Sequence, residues 1–464
     1  MLKIICPPGY DAEWNYIFSV VLKDILGLEW CIAGNSVEDD ELVIFTDGSE
    51  KELHLPVRFF LKNINWLDRN SLPILPLSYW DSKEFIDEIK LTDSLIPIIY
   101  GDNYPNFIVE SNKIRLPIDI FGSSFFMLSR YEELVIDQRD EHNRFPASAS
   151  LALACSFLER PIVDEYIEIL WAAIQSLWPQ MSRRKTYRKI NVTCDVDVPY
   201  QVDFSYRAIF RGVGNNILKQ GNLKMAFENL KKRLRARCGN FSKDTYLQNI
   251  DWMMDVNELE NNKVSFYFIA QNTDPVYDGR YGMDEPIIRA LLKKIHDRGH
   301  EIGLHPSYNS YNNPERILCE ANVLRDVLEK ENIGYSQLGG RQHFLRWDAR
   351  FTALSWENAG LQYDSSLCFA EYPGFRCGTS REFMMYDVVN RRALNLKQRP
   401  LILMECSVIS KRYRNLGYSG RSLTTMLQLK DRALSIGGEF TVLWHNDHFN
   451  NPEDKEFYKA IIRN

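Results

Sequence analysis

From Lys189 onward, short apolar runs alternate with amphipathic stretches, and this alternation restricts the fold more than any other feature of the chain. KINVTCDVD, KVSFYFIA, HEIGLH, YSQLGG, LQYDSSL, LILMECS and FTVLWH have the length and apolarity of buried strands. DEPIIRALLKKIHDRG, PERILCEANVLRDVLEKEN and ARFTALSWENAG lie between several of them and carry apolar residues at helical spacing. Strands joined by crossover helices pair in parallel, in an open sheet or a barrel. Seven such strands, most ending in polar residues, predict a distorted (β/α) barrel of about seven parallel strands over residues 188–464. In barrels of this kind the chemistry gathers at the C-terminal strand ends.

A chain of 464 residues exceeds one ordinary core. Residues 1–182 are expected to form a separate α/β domain of unknown role. LKIICP and ELVIFTD are strand-like, and WNYIFSVVLKDILG is helix-like. RLPIDIFGSSFFMLSRYEEL reads as a turn and a helix with Ser123 or Ser124 as N-cap. RPIVDEYIEILWAAIQSLWP is an amphipathic helix closed by Pro179, and the polar MSRRKTYRK after it is a linker. A basic helical insertion is expected at about 206–240, as a surface helix or lid rather than a contact to an anionic carrier or membrane surface.

Hydrophobic residues at 45% and charged ones at 25% suit a soluble globular protein, and a net charge of −6 gives no reason to expect nucleic acid. No apolar run approaches the roughly 18–20 residues of a transmembrane segment. The start, MLKIICPPGYDAEW, lacks the apolar stretch of a secretion signal. Nine scattered cysteines without a CxxC pair fit a reducing compartment, so a cytoplasmic location is expected.

The chemistry-bearing residues fall at the ends of the expected strands. Asp195 and Asp197 stand two apart, so a strand would turn both to one face. Two such carboxylates are costly unless a cation or a shared proton offsets them. His305 ends an apolar strand, where a neutral imidazole could complete a metal site. Arg341 and His343 lie in GGRQHF, Asp364 in YDSS, Glu405 at the end of LILMEC, and His445 at the exit of FTVLWH. Singly each is a weak signal; their order and shared position are a strong one.

That order resembles the polysaccharide deacetylase family, with its NodB homology domain of the carbohydrate esterase family 4-like type. Thr193-Cys194-Asp195-Val196-Asp197 is similar to the family's first acidic motif, with one residue between the acids. GHEIGLH resembles its metal-binding strand, and GGRQHFLRW stands where the family has its Arg-Pro-Pro motif. YDSSL corresponds to the motif whose Asp orients the catalytic His, and LWH to the closing Leu-x-His. SRYEEL, RFPA and FLERPIVDEY resemble the N-terminal region of a subgroup with an extra domain. The usual HxxxH departs here to His305-Pro306-Ser307-Tyr308-Asn309.

The resemblance implies a metal-dependent hydrolase that removes an N-acetyl group from a sugar or polysaccharide precursor. Its cofactor would be a divalent metal, most often zinc. Asp197 and His305 would be ligands, with Asn309 or His343 as the third. Asp195 would be the base and His445 the acid, with Arg341 paired to Asp195 and Asp364 holding His445. Phe375, Arg376, Trp444 and Glu405 are expected to contact substrate. Two competing readings are an allantoinase-like cyclic amide hydrolase and a glycan-binding barrel without turnover.

Overall fold

The computed structural model describes residues 1–35, 40–61, 65–85, 91–104, 107–201, 241 and 243–464. The basic helix expected at 206–240 lies outside the described residues. The chain divides into two compact units. The first comprises Met1–Ile190, Ser310–Leu318 and Gln342–Val442; the second comprises Asn191–Asn309, Cys319–Arg341 and Leu443–Asn464. The first unit therefore joins the N-terminal residues to a segment that the sequence assigned to the other domain.

In the first unit, Leu2–Cys6 pairs in parallel with Trp30–Asn35 and antiparallel with Glu41–Phe45. Its alternate residues Leu2, Ile4 and Cys6 are buried, as strand periodicity requires of a sheet with one face packed. The helix Ile120–Leu128 begins at Asp119, whose carboxylate accepts from Gly122 N at 2.8 Å. The expectation of Ser123 or Ser124 as N-cap is thus corrected. Asp119 also accepts from Arg58 N and Phe59 N at 2.7 and 2.9 Å, a load that one hydroxyl could not carry. Both serines sit inside the helix, and Ser123 Oγ accepts from Tyr100 N at 3.1 Å.

Buried polar contacts tie the N-terminal residues to Gln342–Val442. Glu13 accepts from Tyr386 OH at 2.7 Å and from Arg391 Nη2 at 2.8 Å. Asp164, in the helix Ile162–Leu177, accepts from Thr379 Oγ1 at 2.6 Å and Ser380 N at 2.9 Å. Glu133 of SRYEEL binds Arg376 at 2.7 Å and Arg130 at 2.8 Å, all three fully buried. The strands Phe383–Asp387 and Arg392–Gln398 form an antiparallel hairpin that the sequence pattern does not predict.

The second unit carries parallel strands in sequence order. Lys189–Val196, Val264–Phe268, Glu301–Leu304 and Gly339–Gly340 lie side by side, with Tyr267 opposite Asp195, Phe268 opposite Leu304 and Leu304 opposite Gly340. The helix Thr245–Leu259 starts at Asp244, whose carboxylate accepts from Tyr246 N and Leu247 N. The helix Pro286–Asp297 has Pro at its first turn and is followed by Gly299 at φ 78°. The fold class is mixed α/β with parallel strands, and the hydrogen-bonded strands among the described residues close into no barrel. Among the described residues no helix is long and apolar enough to cross a membrane.

Candidate functional site

Four chain segments of the second unit bring the site together. Lys189–Val196 ends in Asp195 and leads to Asp197, while Glu301–Leu304 delivers His305, whose N–H donates to Phe268 O at 2.8 Å. Gly339–Gly340 delivers Arg341, whose N–H donates to Leu304 O at 3.1 Å. Trp444 N–H donates to Thr193 O at 3.1 Å, which sets His445 beside the first of these strands. The strands approach closely because their glycines have no side chain. A Cβ on Gly340 would stand 1.7 Å from Leu304 O, and one on Gly303 would stand 2.5 Å from Gly339 O.

Arg341 is fully buried. Its Nη1 donates to Asp195 Oδ1 at 2.7 Å and to Thr193 Oγ1 at 2.9 Å, and its guanidinium lies 5.1 Å from the Tyr267 ring centre. The buried charges of Arg341 and Asp195 therefore offset one another.

His305 Nδ1 lies 2.5 Å from the Arg341 carbonyl oxygen. A carbonyl oxygen only accepts, so the ring proton of a neutral His305 sits on Nδ1 and its Nε2 presents a lone pair. That Nε2 faces Asp197 Oδ1 at 3.2 Å and Asp195 Oδ2 at 3.7 Å. Three acceptors converging in this way repel one another unless a cation lies among them, either a second ring proton or a metal ion. One imidazole with carboxylate oxygens is a donor set that suits zinc and similar divalent ions, so the residues fit such an ion. The anchoring of Nδ1 on a carbonyl is also how metal-binding histidines are commonly oriented. His445 Nε2 stands 3.9 Å from Asp197 Oδ2 on the more open side, where Asp197 is 27% exposed. Cys194, just before the first acid, is no nucleophile: burial pushes its thiol well above the usual range, so it stays protonated.

The loop after His305 is pinned by two buried acids that sequence reasoning missed. Glu320 accepts from Ser307 N at 2.7 Å, and Asp278 accepts from Tyr308 N at 2.7 Å. Asn309 in this loop is exposed, and its amide N–H donates to Thr273 O at 3.1 Å. Thr193 and Tyr267 were missed as well. Tyr267 had a readable signal, because strand periodicity on KVSFYFIA sets it on the face opposite Phe266 and Phe268. Glu320 had none, since an acid in an amphipathic helix reads as surface.

Other expected residues have their own surroundings. In the first unit, His343 is buried in the tight turn His343–Leu345. Asp364 Oδ1 accepts from Ser366 N at 2.9 Å and from Ser366 Oγ. Glu405 is buried at the start of the helix Glu405–Ile409. Phe375 is fully buried, and Arg376 is taken up by Glu133 and by Cys368 O at 2.8 Å. Arg376 thus holds the first unit together in place of the substrate contact expected of it. In the second unit, Trp444 is fully buried and stacks on Phe449 at 5.7 Å, so it packs the core instead of presenting a ring to substrate.

Residues 2–179 match a family described as one of unknown function, DUF7033. No curated protein matches the chain. A solved structure from Mycobacterium smegmatis, assigned as a polysaccharide deacetylase, is 12% identical over 60% of this chain and 84% of that chain, with a TM-score of 0.37. A likeness at that level fixes neither fold nor chemistry.

Proposed function

We propose that the chain is a metal-dependent hydrolase that removes an N-acetyl group from a sugar or polysaccharide precursor. One observation carries this reading: the His305 Nε2 lone pair is aimed between the carboxylates of Asp195 and Asp197, with Arg341 seated on Asp195. The motif order from TCDVD to LWH supports it, as does the gathering of Asp195, Asp197, His305, Arg341 and His445 in one unit. Under this reading the parallel strands belong to an incomplete, distorted (β/α) barrel of the NodB type.

Asp197 and His305 hold a divalent ion, zinc by preference. The resemblance offers Asn309 or His343 as the third ligand, and of these two an imidazole is a better zinc donor than an amide oxygen. When bound, such an ion lowers the pKa of a water molecule toward 7 and polarises the substrate carbonyl. Asp195 accepts the proton of the attacking water, and Arg341 keeps that carboxylate ionised until it does so. His445 gives a proton to the departing amine. Trp444 and Phe375 serve packing.

Acetate release from N-acetylated sugars tests the reading, with Asp195→Asn as the control. The unmodified chain should release acetate, and the variant should lose about 10²–10⁴-fold in turnover while keeping its fold, the usual range for removing an acid–base group. Equal release by both proteins removes Asp195 from the base role. Metal binding without any acetate release favours a cyclic amide as substrate.

A further inference from the structure

We infer that the N-terminal segment supplies a positioning residue: Arg144 holds the turn that carries His343 in shape. The turn Gln342–Arg346 is unusual in its backbone. Phe344 has φ 59° and Leu345 has φ 54°, two successive side-chain-bearing residues in the left-handed region. That region is unfavourable for such residues and persists only where the surroundings enforce it. The turn's own bonds, Leu345 N to Gln342 O at 3.0 Å and Arg346 N to His343 O at 3.2 Å, are those of an ordinary tight turn and do not by themselves select the left-handed form.

The enforcement comes from residues 140–144, which run into the RFPA motif. Asp140 closes this loop on itself, accepting from His142 N at 2.8 Å, Arg144 N at 2.9 Å and Arg144 Nε at 2.7 Å. The Arg144 guanidinium is thereby aimed, and its Nη1 donates to Phe344 O at 2.9 Å. The return contact runs the other way: Arg346 Nε donates to His142 O at 2.8 Å. Each side therefore gives an arginine to a carbonyl of the other. The His142 ring packs 4.9 Å from the Phe344 ring, which in turn lies 4.9 Å from the His343 ring. His142, Arg144 and Arg346 are all buried and Phe344 is half-buried, so water competes less for these bonds than at an open surface. Phe344 O accepts from Arg144 only with the peptide in its observed orientation, so the clamp and the left-handed backbone require each other. Part of the segment matched to a family of unknown function thereby sets the direction of His343. What His343 then does rests on the ligand role proposed above; the clamp does not.

The test uses the full chain carrying Arg144→Gln, read by hydrogen exchange and by NMR of labelled histidine side chains. Amides 343–347 should exchange about tenfold faster, the factor expected for losing a charged hydrogen bond, while the helix Ile162–Leu177 keeps its protection. The His343 resonance, assigned by its disappearance in His343→Gln, should move, and Arg144→Lys should bring it part of the way back. Acetate release should fall in kcat with KM held within about twofold, as for a group misplaced rather than lost. Unchanged exchange at 343–347, or a rise spread evenly over the first unit, overturns the inference. Asp140→Asn loosens the loop without touching the turn and should give the same local pattern more weakly; it decides the matter if Arg144→Gln does not fold. A chain that releases no acetate at all sinks the hydrolase reading, and the exchange and NMR results still decide the clamp.

Discussion

His305 and Glu133 show at the residue scale how a buried polar group is made tolerable. His305 has one nitrogen fixed by a backbone carbonyl and the other turned to two acids, one of them already offset by Arg341, an arrangement that a cation among them would stabilise further. Glu133 already has its positive charge. Burial alone would raise its pKa, but Arg376 and Arg130 outweigh burial and hold it below the ordinary value. The sign of the pH effect follows. A carboxylate with a depressed folded pKa stabilises fully above its unfolded value, near 4.3–4.5, and that stability is lost as pH falls through the folded value. Glu133→Gln should therefore be less stable than the parent at pH 7, with the gap narrowing below about pH 4, read as urea midpoints across that range. A gap that stays constant down to the acid limb would show that Glu133 is not held ionised. The residues of the site were legible to different degrees. Asp195, Asp197, His305 and His445 advertise themselves as polar groups ending apolar runs. Thr193 and Glu320 do not, because neither departs from what a strand or an amphipathic helix ordinarily contains.

Between elements, close approach of strands does the positioning. Gly340 lets its strand sit against Leu304, and the next residue, Arg341, supplies both the guanidinium on Asp195 and the carbonyl under His305. Gly340→Ala forces that contact apart, since its Cβ would fall 1.7 Å from the Leu304 oxygen. The variant should lose about 2–3 kcal/mol in chemical denaturation, the upper range for overpacking, and should weaken metal binding as Arg341 and His305 move apart. Wild-type stability and metal affinity in this variant would mean that the strand contact does not set the site. The longer parallel strands were readable because apolar residues dominate Lys189–Val196, Val264–Phe268 and Glu301–Leu304, whereas Gly339–Gly340 is only the end of the expected YSQLGG strand. The hairpin of Phe383–Asp387 and Arg392–Gln398 was not, because Arg392–Gln398 mixes exposed polar and buried apolar residues and resembles a loop. The N-cap of Ile120–Leu128 was misread for a related reason: Ser123 and Ser124 are good capping types, but Asp119 bonds residues some sixty positions away.

For the whole chain, what local patterns cannot show is which distant segments share a core. Tyr16 donates to Met384 O at 2.8 Å across 368 residues, and Glu13 meets Tyr386 and Arg391 across a similar span. No periodicity within either segment encodes such a contact. The linker expected at MSRRKTYRK, 181–189, gives no sign that Gln342–Val442 shares a unit with the N-terminal residues. Charge and composition were informative mainly by exclusion. The central claim remains local: Asp197 and His305 together bind a divalent ion. It is tested most directly by equilibrium dialysis of metal-stripped full-length chain against zinc, with bound metal measured per chain. About one tightly held zinc ion is expected, kept by Asp195→Asn and lost by both Asp197→Ala and His305→Ala. Zinc retained by His305→Ala as well as by the parent, or none bound by the parent, would contradict it.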